Sequence, residues 1–226
     1  MNLTDKIQQK FQKINFDETL HKYTIDGKSA PSVSSVIKKF YKEFDASKFP
    51  AFLQKQWKQK GQDAASAGTK IHTFAERYIE SCAKPTNLKE LGVIAFILSL
   101  DTSRYTIVSI EQRMYQFTYD YFGTCDLLLY DNIDKYYILA DWKSNESLEK
   151  NYGDMMLAPF EDMLNTPFNR YQLQMAHYEL CLEQVENLNV EERWIIHLTG
   201  KMENLFSILP CEDFTTKLKK LYDTSL

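Results

Sequence analysis

The chain has 226 residues, of which 44% are apolar and 14% aromatic, so it can bury a substantial core and is not expected to be disordered. No run of about 18 apolar residues occurs and the N-terminus is polar, which predicts neither a membrane span nor a signal peptide. Four scattered cysteines without a CxxC pair predict reduced thiols in an intracellular protein, with neither disulfides nor a cysteine-ligated metal site.

The net charge of −4 is unevenly distributed along the chain. Residues 1–61 carry 12 lysines and 6 acidic residues, whereas the remainder carries 15 basic and 25 acidic residues. A basic first third beside an acidic remainder would suit a polyanionic substrate that approaches a cation-filled site. A solvated, lysine-rich helical surface would explain the same distribution equally well.

The first third of the chain is predicted to be a layer of short elements. These are an amphipathic helix at 4–14, two strands around a turn at 16–27, a capped helix from Pro31 to Phe40, and a polar helix at 49–61 that carries Trp57. No linker follows, so we predict one domain over 1–226. In it, the N-terminal layer (1–61) precedes the core (62–200), and a C-terminal strand and helix (201–226) close the fold.

The clearest helix is predicted from Asp63 to Cys82. Within it, Gly68, His72 and Glu76 recur every four residues and therefore share one face. A glycine inside a helix costs about 1 kcal/mol relative to alanine, so we expect a close approach to the backbone at Gly68. A second helix is predicted from Lys89 to about Leu100.

Three consecutive strands are then predicted to form an antiparallel meander, at 105–115, 117–130 and 136–143. Asp131, Asn132 and Asp134 are typical of the turn between the last two. Asp126 begins one strand of this hairpin and Asp141 ends the other, so both carboxylates are expected at the same end. Asp141 and Lys143 are two residues apart and therefore face the same side of their strand.

The rest of the chain completes an α/β layout. Residues 144–170 show no periodicity, and loops of more than about 15 residues are often functional. This segment is interpreted either as a lid or arch beside the site or as a loosely packed surface insertion. The elements predicted after it are a helix at 171–185, strands at 192–199 and 205–209, and a helix at 214–222.

The acidic residues suggest metal-dependent hydrolysis of phosphodiesters. That reaction needs an attacking water and neutralisation of phosphate charge, which a divalent cation held by carboxylates supplies. Asp126 and Asp141 are the primary candidate ligands, and His72 and Glu111 are further ones. Lys143 would orient or deprotonate the water, or stabilise the phosphate. Taken singly, each of these residues is more often an ordinary ion pair, hydrogen bond or solvent-facing side chain.

Other residues are candidates for contact with nucleic acid. Gln174 and Tyr178 lie four apart on one helical face, suited to a phosphate or a base, although a merely polar helix surface is an alternative. Lys150 and Arg170 lie in the aperiodic segment and could contact phosphates. Three aromatic residues could stack on unpaired bases, namely Trp57, Tyr152 and Tyr178.

In chain order these residues form a spaced set: Gly68-x-x-x-His72, Glu111, Gly123-Thr-Cys-Asp126, Asp141-Trp-Lys143 and Gln174-x-x-x-Tyr178. The set resembles the PD-(D/E)XK nuclease superfamily, and specifically its RecB-like exonuclease branch. The earlier segment His21-Lys-Tyr23, Gly27 and Pro31-Ser-Val33 is similar to a segment of the mitochondrial and phage members. The resemblance therefore covers about residues 16–180.

This resemblance implies a restriction-endonuclease-like core, made of a helix, a three-stranded meander, a helix and a strand, with an N-terminal helical layer. It implies a Mg²⁺- or Mn²⁺-dependent DNA exonuclease of recombination, repair or replication, phage-encoded or bacterial and hence cytoplasmic. By motif, His72, Asp126 and Asp141 take the metal positions and Lys143 that of the catalytic lysine. Gln174 and Tyr178 match the motif that positions DNA.

The expected substrate is single-stranded DNA or the end of a duplex, with no membrane involved. No G-x-x-x-x-G-K-S/T signature occurs, so unwinding would need a recombination or replication partner protein. Some relatives hold an iron–sulfur cluster with four cysteines. Here Cys82 and Cys125 lie within the core and only Cys181 and Cys211 follow it, so no cluster is expected.

Two other functions remain open at this point. One is a structure-specific endonuclease of the same fold, acting on DNA or RNA. The other is a catalytically idle module that binds DNA or a partner protein. The complete set of Asp126, Asp141 and Lys143 favours an active enzyme, with a second metal at Glu111 left open.

Overall fold

Two β-sheets and six α-helices organise the described part of the chain, which comprises residues 3–17, 22–151 and 153–224 of a computed structural model. The first sheet contains β1 (Ile14–Asp17), β2 (Lys22–Ile25) and β3 (Lys28–Ser29). The second has five strands in spatial order: β4 (Tyr105–Gln116), β5 (Tyr121–Asp131), β6 (Tyr137–Lys143), β7 (Val190–Lys201) and β8 (Asn204–Pro210). The helices are α1 (Leu3–Phe11), α2 (Val33–Val36), α3 (Ala51–Ser81), α4 (Leu88–Ser99), α5 (Pro167–Leu182) and α6 (Thr215–Asp223).

The five-stranded sheet is mixed and is covered on both faces. β4, β5 and β6 form the predicted antiparallel meander, whereas β7 runs parallel to β6 and β8 antiparallel to β7. A parallel neighbour needs a crossover, and α5 lies within that crossover between β6 and β7. Leu128 of β5 packs towards α1, α2, α5 and α6, while Leu127 and Leu129 pack towards α3 and α4. The mixed α/β class predicted from the sequence is therefore confirmed.

The turn between β5 and β6 follows from Asp131. Its carboxylate accepts hydrogen bonds from the backbone N–H groups of Ile133 (2.8 Å) and Asp134 (3.0 Å). Arg104 Nε donates to the same side chain at 2.7 Å. This local bonding closes the hairpin as predicted and leaves Asp126 and Asp141 at its opposite, open end.

The N-terminal layer contains a sheet as well as helices. β1 and β2 pair antiparallel as predicted, and the short β3 extends them. Ser32 caps α2 by accepting a hydrogen bond from Ser35 N, and a 3₁₀ turn continues that helix to Phe40. His21, part of the motif that resembled the mitochondrial and phage proteins, lies outside the described residues.

The two helices predicted at 49–61 and 63–82 are one helix in the structure, and their separation was wrong. α3 runs without interruption for 31 residues, because its many Lys, Gln and Ala residues favour helix through Gly61 and Gly68. Only Ile71, Phe74 and Ala75 of this helix are buried. The expected close approach at Gly68 is also wrong, since no described atom beyond its chain neighbours and the backbone of its own helix lies within 4 Å of where its Cβ would be.

The segment between β6 and α5 is anchored to the core. Leu148, Met156 and Phe160 are buried, and the Phe160 ring meets that of Phe40 edge-on at 5.2 Å. The alternative of a loosely packed insertion therefore does not hold. The helix after it begins at Pro167 instead of 171, because the Thr166 side chain caps it. None of the described helices is long and apolar enough to span a membrane.

Candidate metal centre

Three side chains from separate elements converge beside the open end of the β5–β6 hairpin. His72 comes from α3, Glu111 from β4 and Asp126 from β5, and one ligand atom of each lies within 4.8 Å of the others. His72 Nδ1 is 3.2 Å from Glu111 Oε1 and 3.2 Å from Asp126 Oδ1. Carboxylate oxygens are suitable ligands for both Mg²⁺ and Mn²⁺. The single imidazole nitrogen among them suits Mn²⁺ better than Mg²⁺. This cluster could therefore hold a divalent cation.

The strand register brings the second acid to the same place. Leu127 pairs with Ala140, so the next residues outward, Asp126 and Asp141, both lie at the open end of the hairpin, as predicted. Trp142 N donates a hydrogen bond to Asp126 Oδ2 at 2.8 Å and so fixes the orientation of that carboxylate. Both aspartates are buried. Two buried carboxylates side by side create a strong local demand for positive charge.

Lys143 supplies part of that positive charge. Its Nζ forms an ion pair with Asp141 Oδ2, as expected for residues on the same side of a strand, and lies 4.4 Å from the centre of the Tyr171 ring. Among the described residues, Asp141 Oδ2 has this ion contact but no hydrogen bond of normal geometry. That oxygen therefore retains capacity to bind a further cation.

The electrostatics of the cluster favour cations throughout. Burial, followed by the charge of Asp126, raises the pKa of Asp141 to about 6 despite the neighbouring lysine. Burial lowers the pKa of His72, but the charge and hydrogen bond of Asp126 and the hydrogen bond of Glu111 outweigh it and bring it to about 11. Burial also lowers the pKa of Lys143, and Asp141 and Asp126 more than reverse this. Lys143 is therefore protonated, which suits it to donate hydrogen bonds and not to deprotonate a water.

Glu111 occupies a strained backbone position. Its φ is +47°, in the left-handed region that a non-glycine residue in a strand rarely adopts. Strain of this kind persists only where the surroundings enforce it, and it clusters at functional sites. The strained residue is one of the three that point their ligand atoms at one another.

Gln174 and Tyr178 reach the cluster from α5. Gln174 Nε2 donates to the Tyr178 hydroxyl, so the two side chains act as a unit on one face of the helix. A Cβ at Gly123 would lie 2.8 Å from Tyr178 Cδ1, closer than atoms can pack. Gly123 is therefore required for the Tyr178 ring to lie against β5.

One cleft of about 490 Å³ collects these residues. It is lined by His72, Glu111, Asp126, Asp141, Lys143, Gln174 and Tyr178. It is also lined by residues that sequence reasoning missed, among them Phe16, Tyr23, Ser34, Ala65, Thr69 and Thr124. Thr124 accompanies Asp126 at the two-residue period of a strand, a signal that could have identified it. Tyr23, whose hydroxyl lies 2.9 Å from Thr124 Oγ1, belongs to the His21-Lys-Tyr23 segment but was assigned no role, and nothing in the sequence distinguishes Phe16.

The remaining candidate residues lie outside this cleft. Lys150 and Arg170 line a neighbouring groove of about 800 Å³, whose lining also includes Lys42 and Lys60. Trp57 packs its ring edge-on against Phe44 and Phe49, at 5.1 and 5.0 Å, near the start of α3. Tyr152 is not among the described residues.

Comparison with known proteins adds no name to this site. No protein-family model matches the chain, and no curated protein matches its sequence.

Proposed function

We propose that the chain is a divalent-metal-dependent phosphodiesterase and, within that class, a DNA exonuclease that acts on DNA ends. The observation that carries this proposal is the convergence of His72, Glu111, Asp126, Asp141 and Lys143 in one cleft. Separately these residues have ordinary explanations. Together they provide ligand atoms for a cation and a buried ammonium group beside it, which phosphodiester hydrolysis requires.

The fold gives independent support. The order α4, the β4–β5–β6 meander, α5 and β7 corresponds to the helix, meander, helix and strand that the PD-(D/E)XK resemblance implies. We therefore propose a restriction-endonuclease-like core with the candidate site at the open end of its central hairpin. Fold alone would not identify an activity, so the assignment depends on the residues in the cleft.

The donor set fits the metal that the resemblance implies. His72, Glu111 and Asp126 would hold the cation, with Asp141 beside them, and Mg²⁺ or Mn²⁺ would there supply Lewis-acid stabilisation of phosphate charge and of an attacking water. The Asp141 carboxylate orients Lys143, whose ammonium donates hydrogen bonds to a phosphate oxygen. The Trp142 N–H holds the Asp126 carboxylate in place. The Gln174 amide and Tyr178 hydroxyl contact the nucleotide next to the cleaved bond.

The cellular role follows from the resemblance and not from the geometry. We propose action in recombination, repair or replication in the cytoplasm of a bacterial or phage-infected cell. A partner protein would supply any unwinding. We propose DNA and not RNA as the substrate, again because of the resemblance.

The test uses purified protein with end-labelled linear DNA, single- and double-stranded, and a covalently closed single-stranded circle, each with Mg²⁺, Mn²⁺ or EDTA. We expect metal-dependent loss of linear substrates, an intact circle, and no cleavage by Asp126→Asn, Asp141→Asn or Lys143→Gln. Asp162→Asn changes an exposed acid that pairs with Lys217 and serves as the matched control. Digestion of the circle would replace the exonuclease by the endonuclease, and the absence of any metal-dependent product would indicate an idle module.

A further inference from the structure

An unusual patch of exposed aromatic side chains surrounds the start of α3. Phe44 and Phe52 are 65% and 62% exposed, and Phe49 and Trp57 are also exposed. Phe44, Phe49 and Trp57 contact one another as a cluster, with ring centres 5.0 to 5.5 Å apart. We call Phe44, Phe49 and Trp57 the aromatic cluster. Exposed apolar surface concentrated in this way marks a binding surface more often than chance.

The charge around the cluster is positive. Residues 38–60 contain seven lysines and two acidic residues, and both acids already pair with lysines of the same stretch, Glu43 with Lys38 and Asp45 with Lys48. Aromatic rings interleaved with lysines bind single-stranded nucleic acid, because bases stack on the rings while cations meet the phosphates. An apolar protein surface would contact the aromatic rings but offers no negative charge for these lysines to bind.

The groove that borders the cluster also reaches the surroundings of the candidate metal centre. Phe44 and Lys60 line this groove, and so do Arg170 and Asn145. Asn145 is two residues after Lys143, and its Oδ1 accepts a hydrogen bond from the Tyr171 hydroxyl, whose ring lies against the Lys143 ammonium. The groove therefore continues from the immediate surroundings of the site.

The groove is held in shape by polar contacts. Asn165 is buried; its Oδ1 accepts from Arg170 Nε at 2.7 Å and its Nδ2 donates to the Lys42 carbonyl at 3.4 Å. The Arg170 guanidinium also lies 4.1 Å from the centre of the Tyr41 ring. Lys60 and Glu146, which also line the groove, form a 3.9 Å ion pair between two highly exposed side chains, which a phosphate could replace at little loss.

We propose that this groove carries the single strand that continues from the cleaved phosphate, with unpaired bases stacked on the aromatic cluster. The inference rests on the proposed nuclease function and adds to it the part of the substrate that must be unpaired. Trp57 precedes His72 by 15 residues on one helix, about 22 Å at 1.5 Å per residue. At 3.4 Å per stacked nucleotide, or more when extended, the cluster is about four to seven nucleotides from the metal centre.

This distance gives a test with a length threshold. Phe44→Leu combined with Trp57→Leu keeps much of the apolar surface but removes two flat rings. We expect KM for single strands longer than about eight nucleotides to rise about 5- to 100-fold, with KM for trinucleotides unchanged. Phe117→Leu is the matched control, since Phe117 is 46% exposed and lines a different groove.

A binding measurement separates this inference from the proposed function. Trp142 and Trp194 are buried and Trp57 is exposed, so bases stacked on the cluster should quench chiefly the Trp57 fluorescence. The titration is made in EDTA, with oligonucleotides of three to fifteen residues. We expect quenching to strengthen above the length threshold, where one strand can contact the cleft and the cluster together, and to be lost in Trp57→Leu.

The outcomes are distinct. Equal KM for the double variant and the parent at every length, with no quenching, overturns the strand path and leaves the patch to a protein partner. Quenching above the threshold without metal-dependent cleavage of any substrate supports the strand path and refutes the nuclease.

Discussion

The buried ion pair between Lys143 and Asp141 gives a sharp test of the cation site. Lys143→Met removes the ammonium and leaves two buried carboxylates, Asp126 and Asp141, beside each other. Removing one partner of a buried pair costs about 3–5 kcal/mol, because the remaining charge loses its partner in a place that water does not solvate. For a chain of this size, each kcal/mol lowers Tm by about 2–4 °C, so we expect a fall of about 6–20 °C in EDTA.

A divalent cation should reverse much of this fall, because it replaces the missing charge and binds only the folded state. Thermal unfolding of Lys143→Met with EDTA, Mg²⁺ and Mn²⁺ should therefore show a larger metal-dependent rise in Tm than the parent, without return of cleavage. Lys60→Met is the control, because Lys60 and Glu146 are 80% and 92% exposed and their pair contributes about 0–1 kcal/mol. A Lys143→Met variant as stable as the parent, and insensitive to metal, would refute the reasoning.

Three other predictions concern the backbone, the cleft wall and the core. Glu111 has a left-handed φ, so Glu111→Gly should be about 1 kcal/mol more stable to urea than Glu111→Ala, while both bind Mn²⁺ more weakly by calorimetry than the parent. Gly68→Ala and Gly61→Ala should each stabilise α3 by about 1 kcal/mol, since neither Cβ would meet a neighbour. Of these two glycines only Gly68 lines the cleft, so only Gly68→Ala should raise KM for DNA. His177 is fully buried, and burial lowers its pKa to about 4. Its neutral form stabilises the fold above pH 6.5, so the free energy of unfolding should fall by about 3 kcal/mol between pH 6.5 and 4. In urea titrations His177→Gln should lack this dependence on pH. Equal slopes in the two proteins, equal KM changes for the two glycine variants, or equal stability of the two Glu111 variants would contradict the respective argument.

The hairpin was accessible from the sequence because local rules determine it. The acidic turn at 131–134 fixes where β5 and β6 reverse, and antiparallel pairing then places Asp126 and Asp141 at the other end. The two-residue period of a strand relates Asp141 to Lys143 in the same way. These inferences need no knowledge of distant parts of the chain.

The continuity of α3 was not accessible by the same means. The sequence predicts two helices, one on either side of residue 62, yet one helix continues there with no buried residue before Ile71. Helix propensity and a few surface contacts, such as that of Trp57 with Phe49, sustain this exposed part, and packing against the core begins where Ile71, Phe74 and Ala75 meet the sheet.

Glu111 shows why a site of this kind can be predicted only in part from a sequence. Its residue type and its strand were predicted, but its direction depends on a φ of +47° that no local pattern indicates. The neighbouring pairs Ile110 with Leu127 and Gln112 with Cys125 keep normal register on either side, so the sheet itself holds the strained residue. In this conformation the Glu111 carboxylate contacts His72, which lies 39 residues earlier in the chain. Among the described residues, His72, Glu111 and Asp126 form the group with metal-binding geometry. Backbone strain persists only where the surroundings enforce it, and it clusters at functional sites, so we propose that the strained position of Glu111 serves a cation bound together with His72 and Asp126.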